Sequence, residues 1–450
     1  MHRDGAARIH RIRVTAARAA LLFVAVTSAP MALAQVGTIG GPGAPSVSLS
    51  PVGTGRTDIF VRPGRIENAL IAGDWLLYPS LFLGALYDSN VNQSATGVRS
   101  SAGLRLVPSL LAETNNGIAK TSLYGMADGR LYMNQGAGSS DAVSVRSGVT
   151  EIYQPLPDLL FTGQGDYTRQ KDLFATLGVT NNLWTLNSSG VGLSPTTNPL
   201  TYDQISGAAS VQKNFASAFV ILGGSVVDIM YDRSSGAVAS SPSGVTYTGT
   251  GRGGLWLTPA LYGYVEGSLD TRDYSISAFN SSGYRAVGGL GTDQIGLLKG
   301  EVFGGYQSER FKSGGIGTSR GTVFGGRIYY YPLPELTMNL AVDESLGASL
   351  LATTPTSPAG TSTRLTSVLG TASYSIAREW AASGRAGYIH TDFGGSVRRD
   401  NAWTMGMTLT YNFWRNVGLT LDYQHIQLGS NVALQSFARD VVTLGATYRY

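Results

Sequence analysis

Residues 403–424 read WTMGMTLTYNFWRNVGLTLDYQ. Trp403, Met405, Met407, Leu409, Tyr411 and Phe413 alternate with Thr404, Gly406, Thr408, Thr410 and Asn412. After the short stretch FWRN (413–416), Val417, Leu419, Leu421 and Tyr423 alternate with Gly418, Thr420, Asp422 and Gln424. Successive side chains of a strand point to opposite faces, so the pattern predicts two strands with one apolar and one polar face, joined by a tight turn. Residues 336–343 repeat it: Leu336, Met338, Leu340 and Val342 face away from Thr337, Asn339, Ala341 and Asp343. A soluble sandwich gives the same alternation. Here, though, the runs reach the ~9–11 residues of a tilted membrane strand. The apolar faces end in aromatics such as Tyr330, Trp380, Tyr411, Phe413, Tyr448 and Tyr450, as an interfacial girdle requires.

Composition points the same way. Charged residues make up 14% of the 450, below the ~25% of an ordinary soluble domain. Mean hydropathy is only +0.03, far below that of a bundle of membrane helices. There are 59 Gly, 23 Tyr and no Cys, which excludes disulfides, thiolate metal sites, cysteine nucleophiles and lipidated cysteine. The formal charge of +4 belongs to residues 1–34, which hold five Arg and one Asp of the chain's 33 basic and 29 acidic residues. The remainder is neutral, so no nucleic-acid partner is expected.

Residues 1–34 read as a cleaved secretory signal: a basic start, the apolar core Ala19–Val26 and Ala32-Leu33-Ala34 as an A-x-A site. Residues 35–78 are Gly-, Pro- and Ser-rich at first and are expected to be a partly flexible periplasmic segment, too short for a folded plug domain. Residues 79–450 are expected to form an all-β transmembrane antiparallel barrel of about eighteen strands. Sixteen stays open because 284–301 has weak periodicity. Tight connections (ETNNG at 113–117, QPLPD at 154–158, PLPE at 332–335, FWRN at 413–416) alternate with long Gly/Ser/Thr-rich ones (170–201, 231–246, 275–284, 345–362, 429–438). That asymmetry places the short turns in the periplasm. YQPLPDL (153–159) and YYPLPEL (330–336) read as one hairpin corner used twice. The ending VVTLGATYRY, with Leu444, Tyr448 and Tyr450 on one face, resembles the terminal strand read by the barrel assembly machinery.

The segment VRPGRIENALIAGDWLLYPSLFLGALYDSNVNQS, 61–94, carries a more specific likeness. Through Arg62-Pro63, Gly73, Leu77-Tyr78-Pro79-Ser80-Leu81 and Tyr87-Asp88-Ser89-Asn90-Val91 it resembles the opening of the putative β-barrel porin 2 family. The resemblance implies an outer-membrane pore, some relatives being linked to exopolysaccharide export, and implies no catalytic residues. GRIENA at 64–69 departs from the more acidic, aromatic run expected there. Asp88 and Asn90 alone offer too few oxygens for calcium, so they read as a strand cap.

No enzyme chemistry is indicated. The only histidines after residue 34, His390 and His425, lack HExxH or similar spacing and read as solvated loop residues. No metal or cofactor is implied. The polar face instead carries charge of both signs: Arg105, Asp128, Arg130, Arg146, Glu266, Asp270, Arg327, Asp343, Arg385 and Asp422 are placed inward by parity. On the lipid face an Arg costs ~2–4 kcal/mol at the midplane, so a lumen position is the economical one. Inward Tyr124, Tyr262 and Tyr264 could pack or stack on sugars. The expectation is an outer-membrane, porin-like channel for passive solute passage, with 170–201 as the constricting loop. Its partners are outer-membrane lipid and the barrel assembly machinery. The alternatives are an exopolysaccharide conduit with periplasmic polysaccharide-export components, and a closed structural or adhesive barrel.

Overall fold

Period-two alternation becomes, in the computed structural model, one antiparallel sheet rolled shut. The structure describes residues 69–133, 142–170, 201–231, 243–275, 277, 280–312, 317–348, 362–394, 397–433 and 436–450. The expected signal segment, residues 35–68 and positions 171–200 of the expected constricting loop lie outside them.

In chain order the strands are β1 (Leu70–Ala72), β2 (Trp75–Asp88), β3 (Ser101–Asn115), β4 (Ala119–Tyr132), β5 (Ala142–Leu156) and β6 (Leu159–Gln170). Then come β7 (Tyr202–Asn214), β8 (Ala218–Tyr231), β9 (Gly244–Trp256), β10 (Leu261–Tyr274), β11 (Ser281–Ile295), β12 (Leu298–Phe311) and β13 (Thr318–Leu333). The last are β14 (Leu336–Ala348), β15 (Ser362–Ser375), β16 (Trp380–Phe393), β17 (Arg399–Asn412), β18 (Val417–Ser430) and β19 (Phe437–Arg449). Each of β2 to β19 pairs with its sequence neighbour, and β19 closes on β2 from Val441↔Asp88 to Arg449↔Ser80. The result is a closed barrel of 18 strands. In hydrocarbon no water meets an unpaired N–H or C=O, and closure is the sheet's way to leave no free edge.

The eighteenth strand hinges on the region of weak periodicity. Residues 281–311 form a full hairpin, β11–β12, turning at Gly296, whose φ is +61°. Gly288, Gly289 and Gly291 carry no side chain to mark a face, which is why the alternation fades there. The expected loop 275–284 accordingly shortens, because β11 already starts at Ser281.

The barrel also begins earlier than the Pro79 boundary. Gly73, at φ +63°, turns β1 back onto β2, and Leu70↔Leu77 to Ala72↔Trp75 cover the β2 edge that β19 leaves free below Ser80. Proline reads as a strand limit because it has no N–H to donate. Here Pro79 sits inside β2 at the junction between β1 and the end of β19, and its carbonyl accepts from the Tyr450 N–H at 3.3 Å.

The twice-used corner is real and has a physical cause. At Tyr153/Leu156 and at Tyr330/Leu333 the ladder slips, then Leu156↔Leu159 and Leu333↔Leu336 re-pair. Pro155 and Pro332 lie in the two slips, where no donor is required of them.

Leu104, Leu106, Leu222, Val265, Leu269, Met407 and Leu444 are exposed, so the outward face is apolar. Exposed aromatics ring it twice: Tyr153, Phe161, Tyr330, Tyr374, Trp380 and Tyr448 near the short turns, and Tyr87, Tyr247, Tyr284, Tyr306 and Trp403 nearer the long loops. On β17, Trp403 and Tyr411 stand eight residues apart. That is ~26 Å along a strand, of the order of an apolar membrane band. Tyr411 stacks on Trp380 with ring centroids 4.5 Å apart.

Met407 lies midway between those two rings and points outward. Met407→Arg is expected to destabilise the refolded barrel by ~2–4 kcal/mol in a denaturant titration, with Met407→Leu near neutral.

Candidate functional site: the inward wall

On each strand the residues alternating with the exposed apolar row face the lumen. All ten charges assigned inward by parity fall on that row. The structure adds that Arg105, Asp128, Arg130, Glu266, Asp270, Asp343, Arg385 and Asp422 stand in ion pairs within 4 Å.

Arg105 reaches from β3 to grip Asp128 on β4 in two bonds, Nε–Oδ1 and Nη2–Oδ2, both 2.9 Å. Arg130 donates to the same carboxylate at 3.0 Å. Arg252 on β9 bridges Glu266 at 2.6 Å and Glu301 at 2.8 Å while lying 3.9 Å over the Tyr264 ring. Arg272 joins Asp270 at 3.1 Å and Glu309 at 3.6 Å. Asp343 faces Arg285 at 3.8 Å. Arg385 binds Asp422 at 3.2 Å, and Thr408 donates to that carboxylate at 2.6 Å. Arg146 stands beside Tyr124 and Asp166, which hydrogen-bond each other. Arg327 lies opposite Glu301 across the β12–β13 ladder. Guanidinium suits these sites because its planar fork meets a carboxylate bidentately and stacks on rings.

The sequence reading misses several of these partners, Asp166 among them. Arg252 and Arg285 sit in Gly-rich strands, Glu301 in the stretch of weak periodicity, and Arg272 and Glu309 near the loop-side strand ends. Parity would have found each once the strand ends were known.

The inward wall is also less polar than alternation suggests. Leu365, Leu369, Ile389, Ala402, Ile426, Leu428 and Phe437 point inward from β15 to β19 and form one apolar cluster with Ala341. Nor do Tyr262 and Tyr264 offer free faces to a sugar. Tyr262 and Tyr264 are 2% and 5% exposed, packed with Phe219, Ile221, Trp256 and Phe303. Tyr262 meets Phe219 edge-on at 5.6 Å and Trp256 at 5.2 Å.

The family-like residues serve the seam. Asp88, fully buried, accepts the Asn90 N–H at 3.0 Å, the Tyr132 hydroxyl at 2.9 Å and Arg439 through Nε and Nη2 at 3.1 and 2.6 Å. Asn90 donates to the Ala438 carbonyl at 3.0 Å, and Ser89 exchanges bonds with Asp440. The stretch Asp88–Asn90 therefore caps β2 and ties it to β19. Tyr78 faces inward, and Pro79 and Tyr87 outward, on β2. Leu444, Tyr448 and Tyr450 are exposed on the lipid side.

The histidines are not loop residues. His390 in β16 and His425 in β18 both face outward near the loop side. With Tyr388, His390 converges on Asn401 Oδ1 at 2.7 Å; with Tyr423, His425 converges on Asp440 Oδ1 at 2.8 Å. Gly317-Thr318-Ser319-Arg320-Gly321 has G-x-S-x-G spacing, but Ser319 pairs with Glu309 inside β13. A nucleophile elbow needs a strand-to-helix turn, so this serine is a ladder residue.

A family model described as putative beta-barrel porin 2 matches residues 70–450. Solved structures similar to the chain include the siderophore receptor PiuA from Acinetobacter baumannii, at TM-score 0.43 and 8% identity, covering 85% of this chain and 82% of that one. OpdQ from Pseudomonas aeruginosa aligns at TM-score 0.40 and 10% identity over 84% and 98% of the two chains. An anion-selective porin from Comamonas acidovorans aligns at 0.35 and 10% over 84% and 99%. No curated protein matches.

Arg439→Ala leaves the Asp88 carboxylate buried without its main partner, a defect worth ~3–5 kcal/mol. The loss is expected as a lower temperature for the heat-induced mobility shift of the folded barrel. Adding Asp88→Asn to Arg439→Ala is expected to recover part of it.

Proposed function

This chain belongs to the putative beta-barrel porin 2 family, and we propose that it is an outer-membrane channel through which small hydrated solutes diffuse passively. One observation carries the reading: the inward wall of a closed 18-strand barrel is studded with arginine–carboxylate pairs while its outward wall is apolar. A barrel of this strand number is wide enough for water unless chain folds into it. Paired charges hold water and set a local field, yet contribute little net charge to the lumen. Selection is therefore chiefly by size, with weak ion preference. Export through a signal peptide cleaved after Ala34, insertion by the barrel assembly machinery and contact with outer-membrane lipid complete the proposal. The buried tyrosines give no reason to prefer a polysaccharide track.

Purified residues 35–450 in a planar bilayer are expected to open in discrete steps with a reversal potential near zero in a KCl gradient. Arg385→Ala, which bares Asp422, is expected to move that potential toward cation preference. A folded, heat-modifiable barrel that never conducts defeats the pore reading.

A further inference from the structure

One ladder of the barrel is incomplete. β13 and β14 pair from Leu333↔Leu336 up to Gly325↔Asp343 and then part, although both strands continue. Below the break every pair except the corner obeys one register. Above it, Thr318–Phe324 of β13 still pairs with β12 but no longer with β14. β14 still pairs with β15 as far as Ala348↔Ser362.

The free end of β14 has gone inside. Gln307 points inward from β12, and its amide grips the backbone of Leu346 at two points: Nε2 donates to the carbonyl at 3.0 Å and Oε1 accepts the N–H at 3.2 Å. One side-chain amide thus stands in for a neighbouring strand. Leu346 packs on Val287 and Val323, inward residues of β11 and β13. Glu344, 7% exposed, accepts from Thr366 at 3.2 Å and faces Arg364 at 3.8 Å, in the notch left between the strands.

Given the pore reading, we propose that the loop-side end of β14 is a hinged leaf that sets the width of the lumen. Folded in, it is latched by Gln307 and narrows the passage. Swung out about Asp343, it zips onto β13 in the register already used below, placing Thr322 opposite Leu346. Each position satisfies backbone groups that the other releases, which makes two discrete states rather than a continuum. Among the described residues Thr318–Phe324 meets no strand on its β14 side, from just below the level of the Tyr306 ring outward; an unpaired strand edge is costly, and this supplies the drive for the outward state.

The chain has no cysteine, so engineered pairs are unambiguous. Val323→Cys/Leu346→Cys is expected to form a disulfide readily on diamide oxidation of the folded protein and to leave single-channel conductance at the resting level. Thr322→Cys/Leu346→Cys is expected to cross-link slowly, by trapping the outward state, and then to raise conductance at least about twofold until reduced, as a wider constriction should. Gln307→Leu, which removes the latch, should speed that trapping without altering the heat-modifiable mobility of the barrel. Ready cross-linking of Thr322/Leu346 but not Val323/Leu346 overturns the inward leaf. A Thr322–Leu346 disulfide that leaves a conducting channel unchanged overturns its role in setting width. If neither wild type nor the zipped variant conducts, the pore reading fails, and the leaf's role with it, while the two cross-linking yields still report where β14 lies.

Discussion

Everything in this molecule depends on the seam between its first and last long strands. Eighteen strands are held by the same backbone ladder, but seventeen of those joins link neighbours in sequence, and hairpins form at small entropic cost. The β19–β2 join brings together residues some 350 positions apart in the chain. It is also the join that closes the ring, and without it two edges would stand bare in lipid. The buried Asp88–Arg439 pair, with Tyr132 and Asn90 around it, sits at the loop-side end of this seam. β1 completes the other end, covering Trp75–Leu77 where β19 stops. Together they give β2 a partner along most of its length.

The same demand for pairing governs the lumen. Ten charges face inward by parity, and those whose contacts are resolved are met by opposite charge or by a hydroxyl. A wall of isolated charges would be an ion filter. A wall of arginine–carboxylate pairs carries little net field. The Arg252–Glu266–Glu301 group, laid over Tyr264 beside the packed aromatic cluster, shows how far these side chains serve the wall itself.

The β13–β14 break is the exception that this logic makes conspicuous. A ladder is given up over the loop-side end of two strands, and the compensation comes from Gln307, Leu346 and the Glu344–Arg364 contact. Exchanging regular strand pairing for a latch inside the lumen brings chain into the passage from the wall itself, a different source of constriction from the long loop 170–201 that the sequence suggests.

Period-two alternation, turn chemistry and the aromatic ends of the apolar runs determined the barrel, its topology and which charges face inward, because each is a local property of a strand. Two Pro-containing corners were legible as one solution repeated, since a missing N–H forces the same slip wherever it occurs. Where glycine erased the pattern, at 284–301, the strand count stayed open until cross-strand pairing supplied what side chains could not. Asp88 could be read as a strand cap, but not as the partner of Arg439: the two meet only when the sheet closes. The same holds for the arginine–carboxylate pairs, the burial of the tyrosines and the inward end of β14. Each is decided by which strands become neighbours and how far they stay together, and no local pattern encodes that.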